Sequence, residues 1–93
     1  MEFLVAAMSP DGVRSDVRIT LSAPEPADHA DDYICHYRVD PLGLNGSAIA
    51  GDPFKAVRWA LFEMRVKLVH RFAGWTFFHR GGRPISLDYD EPA

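Results

Sequence analysis

The stretch between residues 51 and 74 constrains the fold more than any other part of this chain. Asp52 is a favourable N-cap residue, Pro53 suits the first helical position, and Gly74 suits the left-handed residue that follows a helix. Between Pro53 and Gly74 the sequence has no Gly or Pro and is rich in Ala, Leu, Arg, Lys, Met and Glu, which favour helix. The sequence therefore predicts one long α-helix over residues 51–74.

The predicted helix carries two rows of apolar side chains. The first row recurs at intervals of three and four residues, as one buried face requires, and comprises Phe54, Val57, Leu61, Met64, Leu68 and Phe72. Ala60 widens this row. The second row lies on a neighbouring face and comprises Trp59, Phe62, Val66 and Val69. Packing against one sheet accounts for the first row only. The second row therefore needs a cover, either the C-terminal segment of this chain or another molecule.

Short β-prone runs precede the helix. An apolar run over residues 2–8 leads into the turn sequence Ser9-Pro10-Asp11-Gly12, which makes the next strand antiparallel. Clean alternation over residues 16–23 and 32–39 predicts two half-buried strands, and residues 47–50 predict a brief fourth strand. We expect the inward side chains of these strands to pack against Leu61, Met64 and Leu68. That inward set includes Val17, Ile19, Leu21, Cys35 and Tyr37.

The sequence after the helix is β-prone but irregular. Residues 75–79 and 85–89 favour strands, and Gly81-Gly82 predicts a two-residue turn between them. Such a turn would set Arg80 opposite Arg83, an unfavourable pair of like charges unless an anion lies between them. Pro84 lacks a backbone donor, so its segment is expected at an edge of the sheet. The sequence leaves open whether this segment extends the sheet or folds over the helix.

Together these elements predict a single α+β domain over residues 1–93. Its expected architecture is a two-layer antiparallel β-meander of three to four strands packed on one long α-helix, with a short C-terminal β segment. A length of 93 residues suits one hydrophobic core. The composition, 47% hydrophobic and 25% charged, is that of an ordinary globular domain rather than a disordered chain.

Two segments of the chain carry a resemblance to a known group of proteins. The first is Asp31-Asp32-Tyr33-Ile34-Cys35-His36-Tyr37-Arg38-Val39, and the second is Gly51-Asp52-Pro53-Phe54-Lys55-Ala56-Val57. They resemble the Asp-Asp-Trp-x-Cys-x-Tyr-x-Ile and Gly-x-Asp-x-x-Gln-Ala-Leu patterns of a family of short bacterial proteins known as a domain of unknown function. Tyr33 replaces the family's Trp, and Lys55 replaces its Gln. The resemblance implies a shared fold and a bacterial origin, and it carries over no activity and no catalytic residue.

Charge and cysteine content narrow the class of protein. The formal net charge of -3 argues against a dedicated nucleic-acid binder. Cys35 is the single cysteine, so no internal disulfide can form, which fits a reducing cytoplasm. The apolar run over residues 2–8 is short and has no positive charge before it, unlike a signal peptide, and no run reaches the length of a membrane span. We therefore expect a cytoplasmic protein that does not enter the membrane.

Residues with catalytic or ligating chemistry are scattered along the chain. Cys35 and His36 are adjacent in a predicted strand, so their side chains point to opposite faces and cannot act as a nucleophile–base pair. The four histidines, His29, His36, His70 and His79, show no spacing typical of a metal site. The acidic group Asp28, Asp31 and Asp32 is typical of a solvated loop. We therefore expect no catalytic residue, no metal, no cofactor and no enzymatic activity.

The surplus of apolar surface predicts a function through protein contacts. We expect a homodimer, or a complex with another protein, formed through the second helical row and the aromatic segment after the helix: Trp59, Phe62, Val66, Val69, Trp75 and Phe77. The alternative is an anion- or nucleic-acid-binding module that uses the basic helix and the Arg80-Gly-Gly-Arg83 loop. Its binding residues would be Arg58, Arg65, Arg80 and Arg83.

Overall fold

The computed structural model describes residues 1–28 and 31–87 of the chain. Its elements in chain order are β1 (Glu2–Met8), β2 (Arg14–Leu21), β3 (Glu25–Pro26), β4 (Tyr33–Asp40), β5 (Leu44–Ala50), α1 (Pro53–Arg71) and β6 (Thr76–Phe78). One helix packs on one antiparallel sheet, so the predicted α+β fold is confirmed. The sheet is larger than predicted, because the described residues form six strands rather than three or four.

The sheet is a meander to which two further strands are added. β1, β2, β4 and β5 follow one another as antiparallel neighbours. Residues 37–39 of β4 pair with β2 on one side and with β5 on the other, and β3 continues the β2 side by pairing with Tyr33 and Ile34. β6 follows the helix and pairs with β1. The lateral order is therefore β5-β4-β2-β1-β6, with β3 in line with β2.

The turn between β1 and β2 has the predicted position. The Gly12 N–H donates to the Ser9 carbonyl at 2.9 Å, and the Ser9 N–H donates to the Val13 carbonyl at 2.9 Å. Gly12 has a φ of 85°, in the left-handed region that a glycine adopts without steric cost. The local sequence Ser-Pro-Asp-Gly therefore fixes the antiparallel start of the sheet.

The predicted two-residue turn at Gly81-Gly82 is wrong. The Gly82 N–H donates to the His79 carbonyl at 2.8 Å, so the turn is centred on Arg80 and Gly81. Gly82 follows as a bulge residue with a φ of 94°, and the His79 N–H donates to the Arg83 carbonyl at 2.8 Å. His79 rather than Arg80 therefore faces Arg83, which removes the expected pair of like charges.

The C-terminal segment both extends the sheet and returns over the core. β6 adds a strand beside β1, and Pro84 then forms a bridge with Phe78 at the outer side of β6, where its missing donor costs no ladder bond. The Ile85 N–H donates to the Phe77 carbonyl at 2.7 Å, and Ile85 and Leu87 pack against the core. The strand predicted over residues 85–89 is wrong for residues 85–87, which form no strand, and its last two residues lie outside the described residues.

The start of the helix is confirmed and its end is earlier than predicted. Asp52 is the N-cap, and its carboxylate accepts a hydrogen bond from the Lys55 N–H at 2.8 Å. α1 ends at Arg71, with Phe72 as the C-cap. Gly74, with a φ of 85°, lies in the turn that leads into β6 rather than directly at the helix end.

The helix buries a face that overlaps the predicted one only in part. Its buried residues are Ala56, Ala60, Met64 and Leu68. Leu61 is only half-buried and Phe54 is 78% exposed, so these two assignments to the core were wrong, while Met64 and Leu68 are confirmed. On the sheet side the expected residues are all buried: Val17, Ile19, Leu21, Cys35 and Tyr37. The two alanines allow the helix to approach β4 and β5 closely, which turns the larger Leu61 toward the side.

Candidate interaction surface

β5 is an edge strand without the usual protection against pairing. It pairs with β4 through all seven of its residues, and no described strand lies on its other side. Its sequence, LNGSAIA, contains no proline and no charged residue. Natural sheets normally place Lys, Pro or a bulge on such an edge, because exposed N–H and C=O groups recruit other strands. β5 therefore presents an unpaired edge to a partner strand, on which the Asn45 carbonyl already accepts from the Lys67 ammonium.

The other free edges of the described sheet are short, blocked or limited to half a strand, since β1 pairs with β6 only at residues 6–8 and β2 pairs with β4 only at residues 18–21. β6 has three residues, and the chain continues past its outer side through Pro84. β3 has two residues, Glu25 and Pro26, of which one is charged and one lacks a donor. Among the described residues, β5 is thus the longest edge that a second strand can join.

Three apolar side chains of α1 lie next to the free edge of β5. Trp59, Phe62 and Val66 enclose a shallow cavity of about 300 Å³ together with Ser47, Ala48 and Ile49. The Trp59 and Phe62 rings meet edge to face, with centroids 5.4 Å apart and planes at 84°. The Ile49 side chain is 58% exposed. We call the β5 edge with Trp59, Phe62 and Val66 the β5 seam.

β4 and β5 pack closely together beneath the β5 seam. Tyr37 faces Gly46 in the strand register. A Cβ atom at Gly46 would collide with the Tyr37 hydroxyl and would lie 2.8 Å from Lys67 Nζ. The Lys67 ammonium lies 5.2 Å from the centroid of the Tyr37 ring and donates to the Asn45 carbonyl at 3.4 Å. Because Gly46 has no side chain, the Tyr37 ring can occupy this space.

The Tyr37 hydroxyl is also close to a carboxylate of the helix. Burial, followed by the neighbouring Glu63 carboxylate, raises the pKa of Tyr37 well above its ordinary value. The Tyr37 hydroxyl and the Glu63 Oε2 atom are buried, and neither makes a hydrogen bond of good geometry with the described chain. Two buried polar groups, the Tyr37 hydroxyl and the Glu63 carboxylate, therefore lie close together beneath the seam.

The remaining predicted interface residues lie elsewhere. Val69 is exposed near the end of α1, where it lines a separate cavity of about 260 Å³ with Phe72 and Trp75. Trp75 is half-buried and meets the Phe72 ring edge to face at 5.4 Å. Phe77 is 3% exposed and belongs to the core. The structure therefore brings Trp59, Phe62 and Val66 to one cavity, while Val69 and Trp75 line another and Phe77 lies in the core.

The four predicted anion-binding arginines do not converge. Arg58 is exposed on α1, and Arg65 lines a groove between α1 and β1. Arg80 lines a pocket with strand residues of β1 and β2, while Arg83 is exposed after the C-terminal turn. Of these four arginines, only Arg58 and Arg65 lie on the helix.

The groove beside Arg65 results from the position of the helix. Because α1 packs mainly on β4 and β5, the β1 side of the same sheet face is covered only in part. The groove has a volume of about 630 Å³, and its apolar lining includes Phe3, Val5, Leu61 and Met64. Sequence reasoning missed it because Leu61 was expected inside the core.

Cys35 has the environment of a packing residue. It is fully buried, and its thiol donates to the Ser22 carbonyl at 3.5 Å. Burial is the main cause that raises the pKa of this thiol, which lowers the thiolate fraction needed for nucleophilic attack. His36 points to the opposite face of β4, where its Nε2 lies 3.4 Å from a carboxylate oxygen of Glu25. The two side chains therefore lie on opposite faces, as the alternation predicts.

The described residues contain no cluster of three or more His, Cys, Asp or Glu side chains able to hold a metal ion. His29 lies outside that part of the chain. Asp28 and Asp31 are exposed, and Asp32 is half-buried at the start of β4. The acidic group therefore has the solvated setting expected of loop charges.

Comparison with known proteins gave no matching family model, no matching curated protein and no matching solved structure. The resemblance of residues 31–39 and 51–57 to a bacterial family stays a prediction. No helix within the described residues is long and apolar enough to cross a membrane. Function must therefore be inferred from the geometry of the chain itself.

Proposed function

We propose that this protein acts without catalysis, by self-association, as a homodimer in which the β5 edges of two chains pair across a two-fold axis. The observation that carries the proposal is a proline-free, uncharged edge strand beside the exposed parts of Trp59, Phe62 and Val66. A second β5 strand would satisfy the open backbone groups and cover this apolar row in the same step. The lone, buried Cys35 supports a cytoplasmic location for such a dimer.

A two-fold arrangement suits the seam because one self-complementary surface is sufficient. β5 runs from Leu44 to Ala50, so its central residue is Ser47. Antiparallel pairing centred on Ser47 would set Ile49 of one chain opposite Asn45 of the second copy. Both helices would then lie on the same side of a continuous sheet, with their Trp59-Phe62-Val66 rows facing each other. This arrangement joins hydrogen bonding and apolar burial in one interface.

Sedimentation velocity at micromolar concentration tests the dimer. We expect a dimeric wild type and monomeric Ile49→Lys and Trp59→Glu variants, because a lysine on the edge strand opposes strand pairing and a glutamate at position 59 opposes the apolar contact. Ile49 is 58% exposed, so Ile49→Lys is expected to keep the folded circular-dichroism spectrum. Phe54→Glu is the matched control, since Phe54 is exposed on the same helix away from the seam. A monomeric wild type, or a dimer unaffected by Ile49→Lys, would contradict the proposal.

Disulfide trapping tests the axis directly. Cys35 is the single cysteine and is buried, so Ser47→Cys introduces an accessible thiol at the proposed centre of the interface. We expect this variant to form a covalent dimer under mild oxidation. Val13→Cys places a second exposed thiol in the turn between β1 and β2, away from the proposed interface, and is expected to cross-link far more slowly. Equal cross-linking of the two variants would argue against pairing at β5.

A further inference from the structure

The face of the sheet opposite α1 contains a pocket of about 340 Å³ lined by three arginines. The side chains that define it are Leu4, Ala6, Arg14, Asp16, Arg18 and Arg80. Arg14 and Arg18 lie four residues apart on β2 and therefore share one face of the sheet. Arg80 is brought to them by the turn after β6. Asp16 in the lining and Glu2 beside Arg18 offset two of these three charges, so the pocket keeps a net positive charge in a chain whose net charge is -3.

Two of the three guanidinium groups are held in place by other side chains. The Arg14 guanidinium lies over the Phe78 ring, 5.4 Å from its centroid. Arg18 Nε is 2.6 Å from Glu2 Oε1. A guanidinium group has five N–H donors, so each of these contacts leaves donors for a ligand. Arg14 and Arg18 are thus oriented before anything binds.

The floor of the pocket is apolar and lies below the surrounding arginine side chains. Ala6 is paired with Asp16 on one side and with Phe78 on the other. Its small side chain leaves a depression, beside which Leu4 is 46% exposed. The arginines stand around this depression, so the pocket offers cationic donors next to an apolar surface. Such a surface suits a ligand with an oxyanion at one end and an apolar group at the other.

We propose that this pocket binds a small organic phosphate monoester. The phosphate would accept hydrogen bonds from Arg14, Arg18 and Arg80, since planar guanidinium groups match phosphate oxygens in pairs. The organic part would rest on Leu4 and Ala6. A single pocket that also contains the Asp16 carboxylate favours a small ligand over a nucleic-acid backbone, which requires an extended basic surface.

Titration with phenyl phosphate, followed by backbone amide chemical shifts, tests this site. We expect saturable binding that weakens as salt is added, and no comparable binding of benzyl alcohol, which lacks the anion. Arg80→Gln is expected to weaken binding about tenfold, as the loss of a charged hydrogen bond does. Arg83→Gln is the matched control in the same loop, and its affinity should stay within about twofold of wild type, inside ordinary surface effects.

The Asp16→Asn variant tests the site through an expected gain, rather than a loss, of affinity for phenyl phosphate. Removing a carboxylate from the lining should increase the affinity for phenyl phosphate, because Asp16 repels the phosphate. Absence of saturable binding would overturn the proposal. Equal losses in Arg80→Gln and Arg83→Gln, or weaker binding by Asp16→Asn with its fold intact, would also overturn it.

Discussion

Tyr37 and Gly46 face each other across β4 and β5 and differ greatly in size. Tyr37 is almost fully buried, and its ring extends over the position where another residue would carry a Cβ. An aromatic ring placed over a strand glycine compensates for the packing that glycine lacks. At the residue scale, this pair sets how closely β5 can approach the helix, and so where the seam lies.

We predict that Gly46→Ala destabilises the fold by about 1–3 kcal/mol, because the new methyl group must displace the buried Tyr37 ring. Gly51→Ala is the control. A methyl group at Gly51 would have no heavy atom within 4 Å, and Gly51 has no left-handed φ, so its substitution should change stability by less than about 0.5 kcal/mol. Urea denaturation of the two variants measures the difference. Equal stabilities would show that the ring does not occupy this space.

At the scale of elements, the rotation of α1 decides which surfaces remain open. Ala56 and Ala60 face the sheet near the start of the helix, and Met64 and Leu68 do so further along. This buried face is rotated about the helix axis, away from the first row of larger apolar residues that the sequence predicts as buried. As a result Leu61 borders the groove beside β1, while Trp59 and Phe62 border the β5 seam.

The rotation predicts unequal costs for two leucine substitutions. Leu68→Ala should destabilise the protein by about 2–5 kcal/mol, because Leu68 is 1% exposed in the core. Leu61→Ala should cost about 1 kcal/mol, since part of the Leu61 side chain is already in water. Chemical denaturation of the two variants measures both values under the same conditions. A larger loss for Leu61→Ala would mean that the other helix face is inside.

At the scale of the whole molecule, the two proposed sites lie at opposite ends of the sheet. The β5 seam is at one lateral edge, and the arginine pocket lies on β1 and β2 near β6 at the other end. They also lie on different sides, because the helical row of the seam is on the α1 face and the pocket is on the opposite face. Distant sites without shared contacts usually act independently.

We therefore predict that the two functions separate in variants. Ile49→Lys should abolish the dimer and bind phenyl phosphate within about twofold of wild type, while Arg80→Gln should weaken phosphate binding and remain dimeric. Sedimentation and the phosphate titration, made on both variants, check the pair of outcomes. Loss of phosphate binding in a folded Ile49→Lys variant would show that the sites are coupled.

The sequence by itself determined the features that depend on neighbouring residues. Strand β1 follows from a short apolar run, and the inward side of β4 follows from alternation. The turn at residues 9–12 and the Asp52 cap follow from residues with specific backbone preferences. Part of the seam could also be anticipated, because Trp59, Phe62 and Val66 exceed what one buried face needs. These signals are local, so a single sequence carries them.

Only the tertiary structure decided the features that join distant segments. β6 pairs with β1, and that contact carries Phe77 into the core and places Arg80 beside Arg14 and Arg18. The helix rotation depends on how Ala56 and Ala60 fit against β4 and β5, which no periodicity along the helix records. The free edge of β5 exists because of the lateral order of the strands. Strand order and helix rotation depend on which packing of the whole chain has the lowest free energy. The two proposed sites depend on that packing, so local sequence signals do not fully reveal them.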